Sequence, residues 1–574
     1  MKLLDTTLRD GNQAIRKGLG QKLDSQIDLF RQYALAASEF GMQYIEAGIP
    51  ISGPRAQRIV GSIAFDHRER AETCILGFAR AKQQDIDLTA KTVEPAARKG
   101  IALLTSVSDL QLKKFGIVAG KETPGKRSAM LEQFRKSVAY ASAQNIDELL
   151  VYLEDSTRAD IRYLMDLSAA FIEAGATIIS VPDTVGHIND PEAYAEFLQE
   201  LKEGTPGHET VQWSAHLHND RGIAVANALI AAKRKLMDIV EGTINGEGER
   251  AGNLALLTYL LCTEVEGYSS YPEHARMEGM TPERLKNAEK VSALGSWALN
   301  IERSPYQPGV GEYVHRTAAG MHQDGILKEP RMFASYDPNV IGVDIRTPFV
   351  FSDQSGHKGL RAILEAKGIT LSDEKLRKTY LDAYQMSLLL GGSVTDSLLE
   401  ATAWEAQRNG NPAVLEVKYD ELSITYAKRE DRHIAPYVEI IGTLQVHGND
   451  HPFSGRGDGP TSAFVEGIGH VLRDDFGIYI DVREWIEKAV THDTIGRGEE
   501  EGDTEEKEKL GREAPVWGIV RMNVGDEQVD GYGHDPNATY ASFKACLQAL
   551  NRWCTTKQAC LTSPLDSGDA TTAL

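Results

Sequence analysis

Short apolar runs alternate with amphipathic segments over the first part of the chain, and nothing else limits its fold as much. Residues 2–4, 44–49, 74–78, 101–104, 149–153, 178–181, 211–217 and 239–242 make eight candidate strands. Helical patterns fall between them, as in residues 22–40, 130–143, 159–174, 191–202 and 223–235. Eight such units in about 265 residues match the count and length of an α/β chain closed into a (β/α)8 TIM barrel. An open doubly wound sheet is the competing reading, which periodicity does not exclude.

The barrel reading places chemistry at the strand ends, because loops there line the mouth. Arg9 and Asp10 follow the first strand, Glu154 the fifth, and Asp183 and Thr184 the sixth. His216 and His218 lie in the seventh, where side chains two apart face the same way and two imidazoles would stand together. A lone His-x-His is more often surface or core than metal site. Here it is followed by a glycine-punctuated run of charged and amide side chains, Glu241 to Asn253, of the kind that carries chemistry at strand ends.

At 574 residues the chain exceeds one ordinary domain. The 62 Lys and Arg against 83 Asp and Glu give a formal net charge of -21, which argues against nucleic acid or an anionic membrane as partner. No run of about 18 apolar residues and no secretory layout at the start is present, so a cytoplasmic protein is expected. The five cysteines, Cys74, Cys262, Cys546, Cys554 and Cys560, never stand in a Cys-x-x-Cys spacing, which speaks for reduced thiols and against a cysteine zinc site.

The expected organisation is a barrel over 1–275, a helical linker over 276–412, an α+β domain over 413–560 and a polar tail over 561–574. Residues 281–299 read as one helix, and the glycine-bearing segments 317–328 and 350–359 as loops approaching a ligand. Helices are expected over 374–390 and 393–408, and strand alternation from about residue 413. Two glycine turns, Gly455-Arg456-Gly457-Asp458-Gly459-Pro460 and Gly531-Tyr532-Gly533-His534-Asp535-Pro536, each before a helix, suggest an internal repeat. Residues 498–509, almost all charged or Gly, read as a solvated insertion.

Set side by side, Asp5-Thr6-Thr7-Leu8-Arg9-Asp10-Gly11, His216-Leu217-His218-Asn219-Asp220 and Gly248-Glu249-Arg250-Ala251-Gly252-Asn253 resemble the 2-isopropylmalate synthase family. These are metal-dependent, acetyl-CoA-using Claisen-type acyltransferases. Met321-His322-Gln323-Asp324-Gly325 is similar to the family's linker motif, and residues from about 413 to 553 to its regulatory, dimer-forming domain. The resemblance implies the reaction of a 2-oxo acid, acetyl-CoA and water to a 2-alkylmalate and CoA. It implies a homodimer and, in the C-terminal domain, an amino-acid feedback effector.

By the same resemblance Asp10, His216, His218 and Asn253 would hold a divalent cation, with Mg, Mn and Zn all suited to the set. Arg9 would stabilise growing negative charge, or simply neutralise Asp10. Thr184 would bind the substrate carboxylate, Glu154 would orient water or move a proton, and His322 would take the acetyl methyl proton. Two positions depart from the pattern: Gln111 stands where a His is common, and Phe333 where a catalytic Tyr is usual. Citramalate or homocitrate synthase, or a synthase for a bulkier or aromatic 2-oxo acid, are the neighbouring readings. A CoA-independent metal aldolase and a non-catalytic regulatory homologue are the readings from other classes.

Overall fold

The eight expected strands are all present in the computed structural model, paired in parallel and in sequence order: β1 (Lys2–Asp5), β2 (Tyr44–Gly48), β3 (Cys74–Arg80), β4 (Lys99–Ser106), β5 (Glu148–Glu154), β6 (Ile178–Asp183), β7 (Gln212–Leu217) and β8 (Ile239–Gly242). Pairing of β1 with β8, Leu4 opposite Glu241, closes the barrel. The open-sheet alternative therefore falls. The structure describes residues 1–15, 23–115, 123–267, 271–345, 347–408, 413–427, 437–489 and 516–557. The charged insertion and the polar tail lie outside them.

Outside the barrel run α1 (Leu23–Phe40), α2 (Pro54–Asp66), α3 (Gln83–Val93), the one-turn α4 (Asp109–Leu112), α5 (Thr123–Ser142), α6 (Ile161–Glu173), α7 (Pro191–Glu203), α8 (Ala224–Lys233) and α9 (Leu256–Thr263). Alternate strand residues such as Leu3, Ile45, Ile75 and Val151 pack against these helices. Their neighbours Leu4, Tyr44, Leu76, Leu150 and Ile239 fill the interior. Both faces are thus buried, as expected where helices cover a parallel sheet.

Two compact units divide the chain: residues 1–315 with 334–345, and residues 316–333 with 346–574. The first carries, besides the barrel, α10 (Pro282–Leu285) and α11 (Ala288–Leu299). The single helix expected over 281–299 is thus broken at Lys286 and Asn287, and Asn287 Nδ2 donates back to Glu283 O at 3.0 Å.

The second unit begins with α12 (Gly320–Lys328), so the expected loop is a helix from Gly320 on. Tertiary bonds overrule its glycines: Gln323 Nε2 donates to Thr317 O at 3.2 Å and Val350 O at 3.0 Å. After α13 (His357–Ala366), α14 (Asp373–Leu390) and α15 (Asp396–Arg408) comes a four-stranded sheet of β9 (Leu415–Val417), β10 (Ser423–Ala427), β11 (Tyr437–Val446) and β12 (Asn449–Gly457), covered by α16 (Pro460–Phe476). A three-stranded sheet of β13 (Ile480–Ala489), β14 (Val516–Val524) and β15 (Glu527–Asp535) precedes α17 (Ala538–Thr556). Strand, strand, helix recurs, and the stacked rings of Phe464 and Phe543, 4.1 Å apart, join the two helices.

Both expected glycine turns need correction. Gly455 and Gly457 lie in β12, and Gly531 and Gly533 in β15. A Cβ at Gly455 would strike the backbone of α16, and one at Gly531 the backbone of α17. These glycines serve close helix-on-strand packing, and the chain turns only after them. Among the described residues no helix is long and apolar enough to cross a membrane.

Candidate active site

At the C-terminal end of the barrel the structure brings together four side chains from distant parts of the chain. His216 Nε2 is 3.1 Å from Asp10 Oδ2. One ligand atom each of Asp10, His216 and His218 falls within 4.8 Å of the others. Asn253 Nδ2 donates to Asp10 Oδ2 at 3.0 Å and lies 3.4 Å from His216 Nε2. Strand geometry accounts for the pairing of histidines: His216 is in β7, and His218, two residues on, forms a bridge with Asn253 past β8.

The donors suit a divalent cation. Asn253 Oδ1 and His218 Nδ1 are buried with no hydrogen-bond partner, an unusual condition for buried polar atoms. A half-turn of the Asn253 amide would direct its oxygen to the place its NH2 now fills beside Asp10. Two imidazoles, a carboxylate and an amide oxygen leave positions open on a six-coordinate ion for a chelating substrate. Gly248 leaves room for the Asn253 amide, since a Cβ there would overlap Oδ1.

A layer of buried polar groups below the mouth supports this cluster. Glu241, fully buried, accepts from His216 Nδ1 at 3.1 Å, Tyr152 OH at 2.9 Å, and Ser180 and Ser214 Oγ at 2.5 Å each. A carboxylate on one ring nitrogen turns the other towards the metal position and raises its basicity. Burial would lower the His216 pKa, but Asp10 and Glu241 outweigh it and push it up to about 9. Burial and the neighbouring His216 bring His218 down to about 3.

Arg9 adjoins the cluster. Its Nε donates to Glu46 Oε2 at 2.6 Å, its Nη1 to Asp10 and its Nη2 to Tyr152 OH at 3.2 Å. The guanidinium carbon sits 5.0 Å from the Phe78 ring centre and 5.4 Å from that of Tyr152. Burial would raise the Asp10 carboxyl, yet Arg9 and His216 hold it well below the usual carboxylate range. For Glu46 burial prevails over Arg9 and the pKa rises to about 7.

Glu154, two residues beyond Tyr152 and on the same inward face, accepts from Ser106 Oγ at 2.6 Å and Lys114 Nζ at 3.3 Å. Thr184 Oγ1 accepts from Asp155 N at 2.9 Å, which leaves its own O–H to donate elsewhere. Asp183 is occupied with structure: it accepts from Thr157 Oγ1 and from the backbone N–H groups of His187 and Ile188. Gln111 follows β4 with a buried Oε1 that has no partner. His322 lies in the second unit, exposed on α12, its ring 4.3 Å from that of Phe333.

Glu46 and Tyr152 escape the sequence reading, which registers their segments only as apolar runs, and Glu241 enters it only as the first residue of the charged run after the eighth strand, with no role of its own. The available signal was phase. Each stands on the inward face of its strand, as do Glu154 and His216.

Comparison with known proteins adds an independent line. Residues 1–279 match the HMGL-like family, and residues 310–387 match the homocitrate synthase post-HMGL domain-like family. The chain is 30% identical over 559 residues to the 2-isopropylmalate synthase of Pelotomaculum thermopropionicum, covering 96% of this chain and 97% of the relative. It is 31% identical over 555 residues to that of Pyrococcus furiosus, covering 96% and 99%. With that of Lysinibacillus sphaericus it shares 33% identity over 551 residues, covering 96% and 97%. With matches of this length and a closed barrel whose mouth gathers such donors, the chain belongs to the 2-isopropylmalate synthase family.

Proposed function

We propose that this chain catalyses the metal-dependent condensation of acetyl-CoA with a 2-oxo acid, 2-oxoisovalerate being the first choice, to a 2-alkylmalate and CoA. With 2-oxoisovalerate the product is 2-isopropylmalate, a precursor of leucine. The observation that carries this reading is the meeting of Asp10, His216, His218 and Asn253 at the barrel mouth beside the Arg9 guanidinium.

A divalent cation on these four residues would polarise the ketone of the 2-oxo acid as a Lewis acid. Arg9 is fixed by Glu46, Asp10 and two aromatic rings. It therefore meets negative charge growing on the substrate oxygen without first having to reorganise. Thr184 offers its O–H to the substrate carboxylate. Glu154, held by Ser106 and Lys114, orients the water that cleaves the thioester or accepts a proton from it. His322 is assigned the acetyl methyl proton. Gln111, an amide, transfers no proton at neutral pH, so it takes no part in proton transfer.

The test is thiol release from acetyl-CoA with a panel of 2-oxo acids from pyruvate through 2-oxoisovalerate to arylpyruvates, before and after chelation. One 2-oxo acid should drive metal-dependent release of CoA. Release with none of them, or release that survives chelation, would defeat the proposal.

A further inference from the structure

Two of the four residues that meet at the barrel mouth ride on separate loops. Residues 6–11 carry Asp10 in a tight turn, where the backbone N–H groups of Arg9 and Asp10 donate to Thr6 O at 3.0 and 2.8 Å. Residues 243–253 carry Asn253, whose N–H donates to Gly246 O at 3.0 Å, while Gly246 N–H donates to Thr243 O at 3.3 Å. The β1–β8 ladder ends at Asp5 opposite Gly242, just before both loops begin.

A buried polar cluster joins the loops past that point. Thr7 Oγ1 accepts from Ile244 N at 2.9 Å. The Thr7 hydroxyl and N–H both donate to Asp5 Oδ1, the N–H at 2.9 Å. Tyr33 OH, from α1, donates to Asp5 Oδ2 at 2.7 Å. Asp5, Thr7 and Tyr33 are all fully buried. Leu3, two residues before Asp5 and on the same face of β1, packs there as an apolar side chain. At Asp5 the chain instead buries a carboxylate, which loses its hydration at large cost, and three donors replace the water.

We propose that Asp5, Thr7 and Tyr33 are positioning residues that set the spacing of Asp10 and Asn253, and with it the fit of a divalent cation between them. The inference rests on the reading of the mouth as a metal site and on no particular reaction there. Thr7 lies within the turn that carries Asp10, and its oxygen holds the loop that carries Asn253. Asp5 takes the Thr7 hydroxyl proton, which leaves the Thr7 oxygen free to accept from Ile244 N–H. Tyr33 ties the carboxylate to α1. A ligand set needs its donors held within about 0.5 Å of the productive geometry. Directional hydrogen bonds between the loops supply that constraint, whereas apolar contact is non-directional.

Co2+ titration of the full chain in competition with a chelator measures affinity, and the visible absorption band of the bound ion reports its ligand set. Thr7→Val keeps the shape and removes the oxygen, so it should weaken binding by about tenfold or more and change the band. Thr7→Ser restores the oxygen and should bind within about threefold of the unaltered chain. Tyr33→Phe removes one hydroxyl, keeps the ring and should weaken binding by a smaller factor, which tests the cluster if Thr7→Val fails to fold. Thr205→Val, between α7 and β7 on the N-terminal side of the barrel, deletes an equally buried bond, to Leu201 O at 2.7 Å. It should lower the melting temperature and leave Co2+ affinity and band unchanged. Unchanged affinity and band in Thr7→Val, or in Tyr33→Phe should the first not fold, would overturn this proposal alone. So would a Thr7→Ser chain that binds no better than Thr7→Val, or an equal loss in Thr205→Val. An unaltered chain that binds no Co2+ would overturn the metal-site reading with it.

Discussion

Replacing Glu241 by Gln probes the support beneath the proposed metal site, because it keeps the shape and removes the charge. Glu241 accepts from four donors: His216 Nδ1, Tyr152 OH and the hydroxyls of Ser180 and Ser214. The serine hydroxyls can rotate to accept from the new amide, whereas His216 Nδ1–H and the Tyr152 hydroxyl, already accepting from Arg9, still need an oxygen. The Gln oxygen should therefore face His216 and Tyr152 as a neutral acceptor. The change from charged to neutral acceptor costs about 1 kcal/mol per bond over two bonds. That agrees with the roughly 10- to 100-fold loss of metal affinity usual when a histidine ligand loses its carboxylate partner. Competition against a fluorescent chelator, with circular dichroism to check the fold, measures it. We expect weaker metal binding by roughly 10- to 100-fold and a folded protein. Unchanged affinity would refute the claim that Glu241 orients His216 towards the metal.

Arg9→Lys should lower kcat by about 100-fold or more, because a lysine keeps the charge but loses the fork shared by Glu46, Asp10 and Tyr152; steady-state kinetics checks it. Gly248→Ala should lower metal affinity while the chain stays folded, because the added methyl displaces the Asn253 amide; metal titration checks it. Burial raises the Asp382 carboxyl to about 6, against the opposing effects of the Tyr532 hydroxyl and Lys378, with Glu405 adding to the rise. The folded state then holds its proton more tightly than the unfolded chain, so stability falls as pH rises from about 4 to 6. Asp382→Asn should remove that penalty, gaining up to about 3 kcal/mol at neutral pH and nothing near pH 4. Urea denaturation at the two pH values checks the sign.

The barrel was legible because its strands are compact apolar runs and its helices keep a 3.6-residue stripe. The mouth residues were legible because strand ends concentrate chemistry, and Asp10, His216, His218 and Asn253 do converge. The support layer was hidden because burial on both strand faces erases alternation, so Glu46 and Tyr152 read as members of apolar runs and Glu241 as one more charge in the run that follows β8. The glycines of β12 and β15 misled because close packing and tight turns select the same residue. At Gly320–Lys328 the local glycine signal lost to the tertiary bonds of Gln323.

Anomalous scattering from crystals grown with Mn2+ tests the central claim most directly. One strong peak within bonding distance of Asp10, His216, His218 and the Asn253 amide oxygen is expected. No peak there, or a peak whose ligands omit Asp10 and the histidine pair, would contradict the account.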